Sequence, residues 1–422
     1  MPRGQLCSLD RPPSHSPYYR DNFERYLLLV RYSKDNSGRP VRQAVIYTQP
    51  EHEISTEHVD PDAIKIIKRL RSSGHHAYIV GGAVRDLLIG KTPKDFDIAT
   101  DAQPNRIRRL FRNSRIIGKR FRLVHIFFGP KIIEVSTFRS ETSAGFQNEY
   151  GDIEEDVFRR DFTINALYYC PVEGQIVDYV GGVKDVRDRK VRNLIPIDRI
   201  FAEDPVRMIR AIKYSSTTGF KLIRKLRRQI RKSSDLLAET PHSRMTEEVF
   251  KILLSGASAS ILAECMDLGL FRHMLPNFDE LISSEKAYRG ELERRLADLD
   301  AEVRDGGEDR RSRAIAYLCA DYIFAHTEVG AMRRIPFADG FAEIKRIIKP
   351  IVPANKEVEM ALVYLIRRRK NYSKNGALEV TPPSERERVE DQPWRHEDDP
   401  DAPKSKKRRR RKRRPRSKPS SQ

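Results

Sequence analysis

Residues 77–100 read AYIVGGAVRDLLIGKTPKDFDIAT, and this stretch decides the fold. A short apolar run, 77–80, leads into Gly81-Gly82 and then an apolar helical stretch at 84–89. Asp95-Phe96-Asp97 follows, with Ile98 continuing the alternation. On a strand, residues i and i+2 share a face. Asp95 and Asp97 then converge on one spot, with Phe96 and Ile98 packing behind them. Two adjacent carboxylates repel unless cations neutralise them. Mg²⁺ takes hard oxygen ligands, commonly one or two carboxylates plus substrate phosphates. The plainer reading of Asp-x-Asp is a turn or helix cap, and the neighbouring residues decide against it. Glycines after a strand let backbone N–H groups approach a phosphate at a helix N-terminus. Arg85 could reach the same phosphates through its fork of donors. Gly90-Lys91-Thr92 imitates the end of a P-loop, but that motif needs glycine where Arg85 stands. No GxGxxG follows a strand, so a dinucleotide fold has no support. The stretch points to phosphoryl chemistry on a nucleotide.

Further along, residues 131–138 (KIIEVSTF) alternate like a strand. Ile133, Val135 and Thr137 share one face; Glu134 lies on the other with Ile132 and Ser136. The sequence continues with LFRNSRIIGKRFRLVHIFFGPKIIEVSTFRS (110–140), EEDVFRRDFTINALYY (154–169), DYVGGVKDVRDRKVR (178–192) and AEDPVRMIRAIKY (202–214). Together with GGAVRD and DFDIAT, these ordered segments resemble the class II nucleotidyltransferases of the DNA polymerase beta superfamily, the bacterial poly(A) polymerases and CCA-adding enzymes. The resemblance covers roughly residues 50–255, and 110–140 looks more like poly(A) polymerase.

The resemblance implies roles for particular residues. Asp95 and Asp97 would hold Mg²⁺ (or Mn²⁺). A third carboxylate would come from Glu134 or from Asp161. Arg160 would join Gly82 and Arg85 on the triphosphate of ATP. Asp204 and Arg207 would read adenine, with Arg210 and Lys213 nearby. Plainer alternatives stand beside each. Glu134 could be an edge-strand glutamate facing water, and Asp161 could be a helix N-cap sharing a helix face with Asn165. Asp204 and Arg207 could be an ordinary i,i+3 pair behind Pro205. A shorter fifth motif falls loosely at 241–254.

The chain has 422 residues, a net charge of +20 and a pI of about 9.8, so a polyanionic partner is expected. Residues 404–418 hold twelve Lys/Arg and no acid, leaving 20 − 12 = +8 for the rest. Arg224, Lys225, Arg227, Arg228, Arg231 and Lys232 form one basic cluster, read as RNA-contacting. Arg408, Arg409, Arg410 and Arg411 belong to the terminal block, read as a salt-sensitive electrostatic tether. A third cluster, Arg106 to Arg122 with Phe111 and Phe121 between, fits either RNA contact or solvated helix faces. Cys7, Cys170, Cys265 and Cys319 show no zinc spacing and suit a reduced cytoplasmic protein. No secretory signal and no bilayer-length apolar run is evident.

The expected architecture is α+β: a small mixed α/β head followed by an all-α body. The divisions read as an irregular arm (1–58), a head (59–193), a helical neck (194–256), a helical RNA-binding body (257–370) and a disordered basic tail (371–422). Expected helices span 201–214, 221–233, 246–254, 261–268, 290–304, 313–326, 341–348 and 356–369. The function implied is template-independent AMP addition to RNA 3′ ends, largely regardless of sequence, with no membrane or DNA partner. Alternatives are a CCA-adding tRNA nucleotidyltransferase and an RNA-binding protein with an inactive head.

Overall fold

The apolar run at 77–80 is the central strand of a nine-stranded sheet. The computed structural model describes residues 29–34, 40–118, 122–140, 150–306, 310–332 and 335–369. The strands are β1 (Leu29–Lys34), β2 (Pro40–Thr48), β3 (Ala77–Val80), β4 (Asp97–Thr100), β5 (Ser114–Ile117), β6 (Leu123–Phe128), β7 (Lys131–Thr137), β8 (Leu167–Cys170) and β9 (Gln175–Asp178). Their order is β1-β2-β9-β8-β3-β4-β7-β6-β5. Neighbours are antiparallel except β4 and β7, which run parallel. A short parallel pair, β10 (Lys190–Val191) and β11 (Lys221–Leu222), ties the end of the head to the first part of the helical half.

Alternation along the strands gives the sheet two buried faces. Ile79, Ile98, Val124, Ile126, Ile133, Val135, Leu167 and Tyr169 pack into the main core under the helices. Tyr78, Val80, Ala99, Phe138, Tyr168 and Val177 form a second cluster on the opposite face. The helix Pro61–Ser72 starts where expected: Asp60 accepts a hydrogen bond from the Asp62 backbone at 2.8 Å, and proline opens the first turn. It buries Ala63, Ile66, Ile67 and Leu70 in the main core.

The structure confirms the mixed head and helical body and corrects several elements. Residues 29–34 and 40–48, read as part of an irregular arm, are strands. β2 pairs antiparallel with β9, from Val45↔Asp178 to Thr48↔Gln175, and buries Ala44 and Val45. Their pattern is mixed with Arg and Gln, so tertiary pairing rather than local periodicity makes them strands. The head also has three strands, not two, between residues 111 and 138, and gains β8 and β9 beyond. Residues 163–165 form only a single 3₁₀ turn, not a helix. The helix expected at 201–214 breaks at Asp204-Pro205 into Ile200–Glu203 and Val206–Thr218. The segment expected at 221–233 begins as β11 before the helix Arg224–Ser233. The other expected helices form at His242–Leu253, Ser258–Asp267, Lys286–Arg304, Arg310–His326, Phe337–Ile347 and Asn355–Arg367, and Pro276–Ser284 adds one that was not read. Residues 1–28 and the basic tail, including Arg408 to Arg411, lie outside the described residues. No helix among the described residues is long and apolar enough to cross a membrane. Cys170, Cys265 and Cys319 are buried free thiols.

Candidate active site

Asp95 and Asp97 lie at the entrance to β4, and Phe96 and Ile98 are buried in the main core between and behind them. Neither aspartate makes a salt bridge among the described residues. β4 and β7 are in parallel register with Ile98 opposite Val135, so Asp97 stands level with Glu134 one step earlier on each strand. Glu134 is in turn opposite His125 on β6, and His125 Nε2 lies 3.1 Å from Glu134 Oε1. Asp97 is exposed at the start of β4, yet protein atoms crowd around its carboxylate. That enclosure, followed by the charges of Glu134 and Asp95, pushes its pKa up to about 6, and Arg160 opposes the rise.

This donor set suits a divalent cation. Two carboxylates without salt-bridge partners and a third level with them concentrate negative charge in a partly desolvated cleft. Among the described residues no three His, Cys, Asp or Glu side chains are arranged to hold a metal unaided. Mg²⁺ commonly completes its coordination with substrate phosphates and water.

The raised pKa has a sign that can be measured. Asp97 keeps its proton up to about pH 6 in the fold but only to about pH 4 in the unfolded chain. Between those values the native state binds more protons, so this group lowers stability as pH rises from about 4 to about 6. A cation that needs the deprotonated carboxylate reverses the effect above that window. Mg²⁺ or Mn²⁺ is therefore expected to raise the melting temperature much more at pH 7.5 than at pH 5, and Asp97→Asn is expected to remove most of that difference. Equal metal-induced shifts at both pH values would contradict it.

The glycine turn beside this cleft needs glycine. Gly81 has φ +72°, a left-handed conformation that side chains rarely adopt. Two guanidinium groups flank the turn: a Cβ on Gly81 would sit 3.8 Å from Arg160, and one on Gly82 would sit 3.3 Å from Arg85. Arg160 donates to Tyr168 Oη (2.9 Å), the Asn165 carbonyl (3.2 Å) and Asp156 (2.9 Å). Asp156, held by Arg160, Arg159 and the Tyr168 hydroxyl against its own burial, has its pKa lowered to about 2. Arg85 is more enclosed than its motif suggests. It is 7% exposed, donates to Asn165 Oδ1 (2.7 Å) and Asp86 (2.9 Å), and lies 5.2 Å over the Tyr214 ring.

Asp161 is engaged by its neighbours. Its carboxylate accepts from the Phe162 backbone (2.8 Å) and Asn165 Nδ2 (3.3 Å) and pairs with Arg210 at 2.9 Å. The structure thus sets Asp161 as the anchor of Arg210, while Glu134 is the carboxylate level with Asp97. Arg210 also donates to the Tyr214 hydroxyl (3.1 Å), and Tyr214 stacks edge-on with Phe162 at 5.9 Å. Lys213 lies 3.6 Å from Glu248, and burial lowers its pKa against the attraction of that carboxylate.

Asp204 sits in the break before the helix Val206–Thr218 and caps it by accepting from the Val206 backbone at 3.3 Å. Arg207 Nε is 3.9 Å from Asp204, and Arg207 also bonds Glu203 and the Ile200 carbonyl, each at 3.1 Å. Sequence reasoning missed Arg244, which closes an ion pair with Asp204 from the helix His242–Leu253. The only signal for it was its place in the loosely assigned segment 241–254.

Residues 77–192 match the family described as "Poly A polymerase head domain". Over those residues the chain is similar to the nucleotidyltransferase heads of that family. The head holds Asp95, Asp97, Glu134, Arg160 and Asp161; the pair Asp204 and Arg207 lies just beyond the matched residues. Residues 219–282 match the family described as "Probable RNA and SrmB- binding site of polymerase A". The chain is 39% identical over 271 residues to poly(A) polymerase I of Escherichia coli O6:H1, covering 60% of this chain and 58% of that one. It is 35% identical over 234 residues to the CCA-adding enzyme of Bacillus subtilis, covering 53% and 58%. The Bacillus stearothermophilus CCA-adding enzyme in complex with CTP superposes with a TM-score of 0.51 at 26% identity, over 74% of this chain and 83% of that one. These relatives are class II nucleotidyltransferases, and the chain spans little more than half the length of the curated ones.

Behind the nucleotidyltransferase head, the helix Arg224–Ser233 buries only Leu226 and Ile230 and exposes all six cations of the basic cluster. Arg227 pairs with Glu264, and Arg231 donates to the Asp267 carbonyl at 3.5 Å. Arg224, Lys225, Arg228 and Lys232 make no ion pair among the described residues. Of the other cluster, Lys119, Arg120 and Phe121 lie outside the described residues; Phe111 is a core residue with Arg69 over its ring.

Proposed function

We propose that this chain adds AMP from ATP to RNA 3′ ends without a template. The observation that carries the reading is the group of carboxylates Asp95, Asp97 and Glu134 beside the arginine-flanked glycine turn. Asp95 and Asp97 would hold divalent cations, which when bound lower the pKa of the RNA 3′-hydroxyl and neutralise the departing pyrophosphate. Arg160 and the backbone N–H groups after Gly81 would steady the triphosphate. Glu134 would face the incoming 3′ end beside Asp97. The 3′-oxygen attacks the α-phosphorus in line, and pyrophosphate leaves. Asp204 would accept from the N6 amino group of adenine and Arg207 would donate to N1, replacing a template base. Arg244 and Glu203 would hold that pair in place, and the cytoplasm would be the setting.

The basic helix would hold RNA by its phosphates. Changing Arg224, Lys225 and Arg228 to alanine is expected to weaken RNA binding about equally for all sequences and to leave the maximal rate unchanged. The slope of log K against log salt should fall by about 2, at roughly 0.7 for each phosphate no longer neutralised. An unchanged slope would remove this surface from the RNA path.

A second reading, a CCA-adding tRNA nucleotidyltransferase, is favoured by the 35% identical relative and shares the cleft and the base-reading pair. A gel assay with Mg²⁺ and each nucleotide separately decides. Long ladders on plain single-stranded RNA with ATP alone support poly(A) addition. Only C, C and A on a tRNA ending before its CCA moves the assignment to the second reading. Binding of RNA without extension of either would favour an inactive head.

A further inference from the structure

Adjacent strands of the head place four polar side chains at one level of the sheet. Asp97 on β4 is level with Glu134 on β7, Glu134 is opposite His125 on β6, and His125 is opposite Arg115 on β5. On this face the neighbours of Glu134 along its own strand do not restrain it. Ile132 is apolar and 47% exposed, and the Ser136 hydroxyl donates to the Ile98 carbonyl at 3.1 Å. The Glu134 side chain is itself 47% exposed, and His125 is its one salt-bridge partner among the described residues. The imidazole is the better fixed of the two. Its side chain is 22% exposed, with the Phe127 ring edge-on at 6.5 Å.

We propose that His125 is a positioning residue that holds the Glu134 carboxylate beside Asp97 through the 3.1 Å contact between Nε2 and Oε1. An exposed glutamate samples many rotamers, and fixing one costs side-chain entropy each time a ligand needs it. A pre-formed contact with a packed imidazole reduces that cost. It also turns the free oxygen of Glu134 toward the cleft, in the way that outer partners orient the carboxylates of metal sites. The inference rests on the cleft being the working site, but not on which nucleotide is added there.

The test uses the full chain with His125→Leu, His125→Gln, Glu134→Gln and the His125→Leu/Glu134→Gln double variant. Mn²⁺ affinity by calorimetry and the rate of AMP addition are both measured. His125→Leu is expected to lower Mn²⁺ affinity and kcat each by about 10- to 100-fold, with KM for ATP changed less than about twofold. Gln, whose Nε2 can donate from nearly the same place, should recover most of both. In the Glu134→Gln background the loss from His125→Leu should shrink to less than about twofold, since coupled residues are non-additive. Unchanged Mn²⁺ affinity in His125→Leu overturns the proposal, as does an equal loss with and without Glu134. A coupled loss of Mn²⁺ affinity in a chain that extends no RNA would uphold the role of His125 and overturn the polymerase reading instead.

Discussion

Replacing Asp97 with asparagine is expected to abolish nucleotide addition, by about 10³-fold or more, while leaving RNA binding and the fold intact. The substitution keeps the shape of the side chain and removes its charge. On the proposed reading, loss of the charge would remove a metal ligand, and metal stabilisation of a transition state contributes several kcal/mol, with each 1.36 kcal/mol equal to tenfold in rate. The basic helix that would carry RNA belongs to another element, so gel-shift affinity should stay within about twofold. Stability moves the other way. In the wild type, burial, Glu134 and Asp95 all disfavour the Asp97 carboxylate. The asparagine variant without metal should therefore melt at or above the wild-type temperature at pH 7.5, the usual trade between a working site and a stable one. Activity within tenfold of wild type would remove Asp97 from the chemistry. A lower melting temperature would show that the residue serves the fold.

The second large effect is structural. Asp178, 2% exposed at the end of β9, accepts hydrogen bonds from four successive backbone N–H groups: Val180 (3.0 Å), Gly181 (2.8 Å), Gly182 (3.0 Å) and Val183 (3.0 Å). Asp178→Ala leaves these donors without their acceptor, and unsatisfied buried groups cost about 1–3 kcal/mol each before relaxation and water entry. A net loss of about 3–5 kcal/mol is expected, at the upper end for a point substitution. The damage should reach the site. Gly182 packs so closely on the 163–165 turn that a Cβ would sit 2.3 Å from the Thr163 carbonyl. Thr163 in turn donates to Asp185 at 2.6 Å, and this turn carries Asn165, the partner of Arg85. Urea denaturation checks the prediction, and Asp178→Asn, which keeps one acceptor oxygen, should lie between. A loss below about 1 kcal/mol for the alanine variant would contradict it.

What the sequence revealed and what it hid divide along the range of the interactions. Asp95, Asp97 and Gly81 lie in one short motif, and Arg160 in a segment singled out by resemblance; the structure brings the four close together. Asp204 with Arg207 was likewise legible, because three residues on a helical turn fix a distance. The level placement of Asp97 and Glu134 was not, since it depends on parallel pairing of strands whose partners, such as Ile98 and Val135, are far apart in the chain. His125 was hidden because only the register of the β6–β7 hairpin sets it opposite Glu134, and Arg244 because its partner Asp204 precedes it by 40 residues. The enclosure of Arg85 by Asn165 and Tyr214 was not legible either, since both partners lie far along the chain. β1 and β2 escaped because edge-side strands with mixed polarity carry little periodicity; their pairing partners define them.

The attachment of β2 to β9 bears on how this protein can be handled. A chain trimmed at residue 58, where the sequence alone suggested that an arm ended, would lose β1 and β2 and leave β9 as a bare edge. The newly exposed N–H and C=O groups from Gln175 to Asp178 would then offer a template for strand addition by neighbouring molecules. Such a shortened protein should associate at concentrations where the longer one stays dispersed, and light scattering would register the difference before any assay of the active site did.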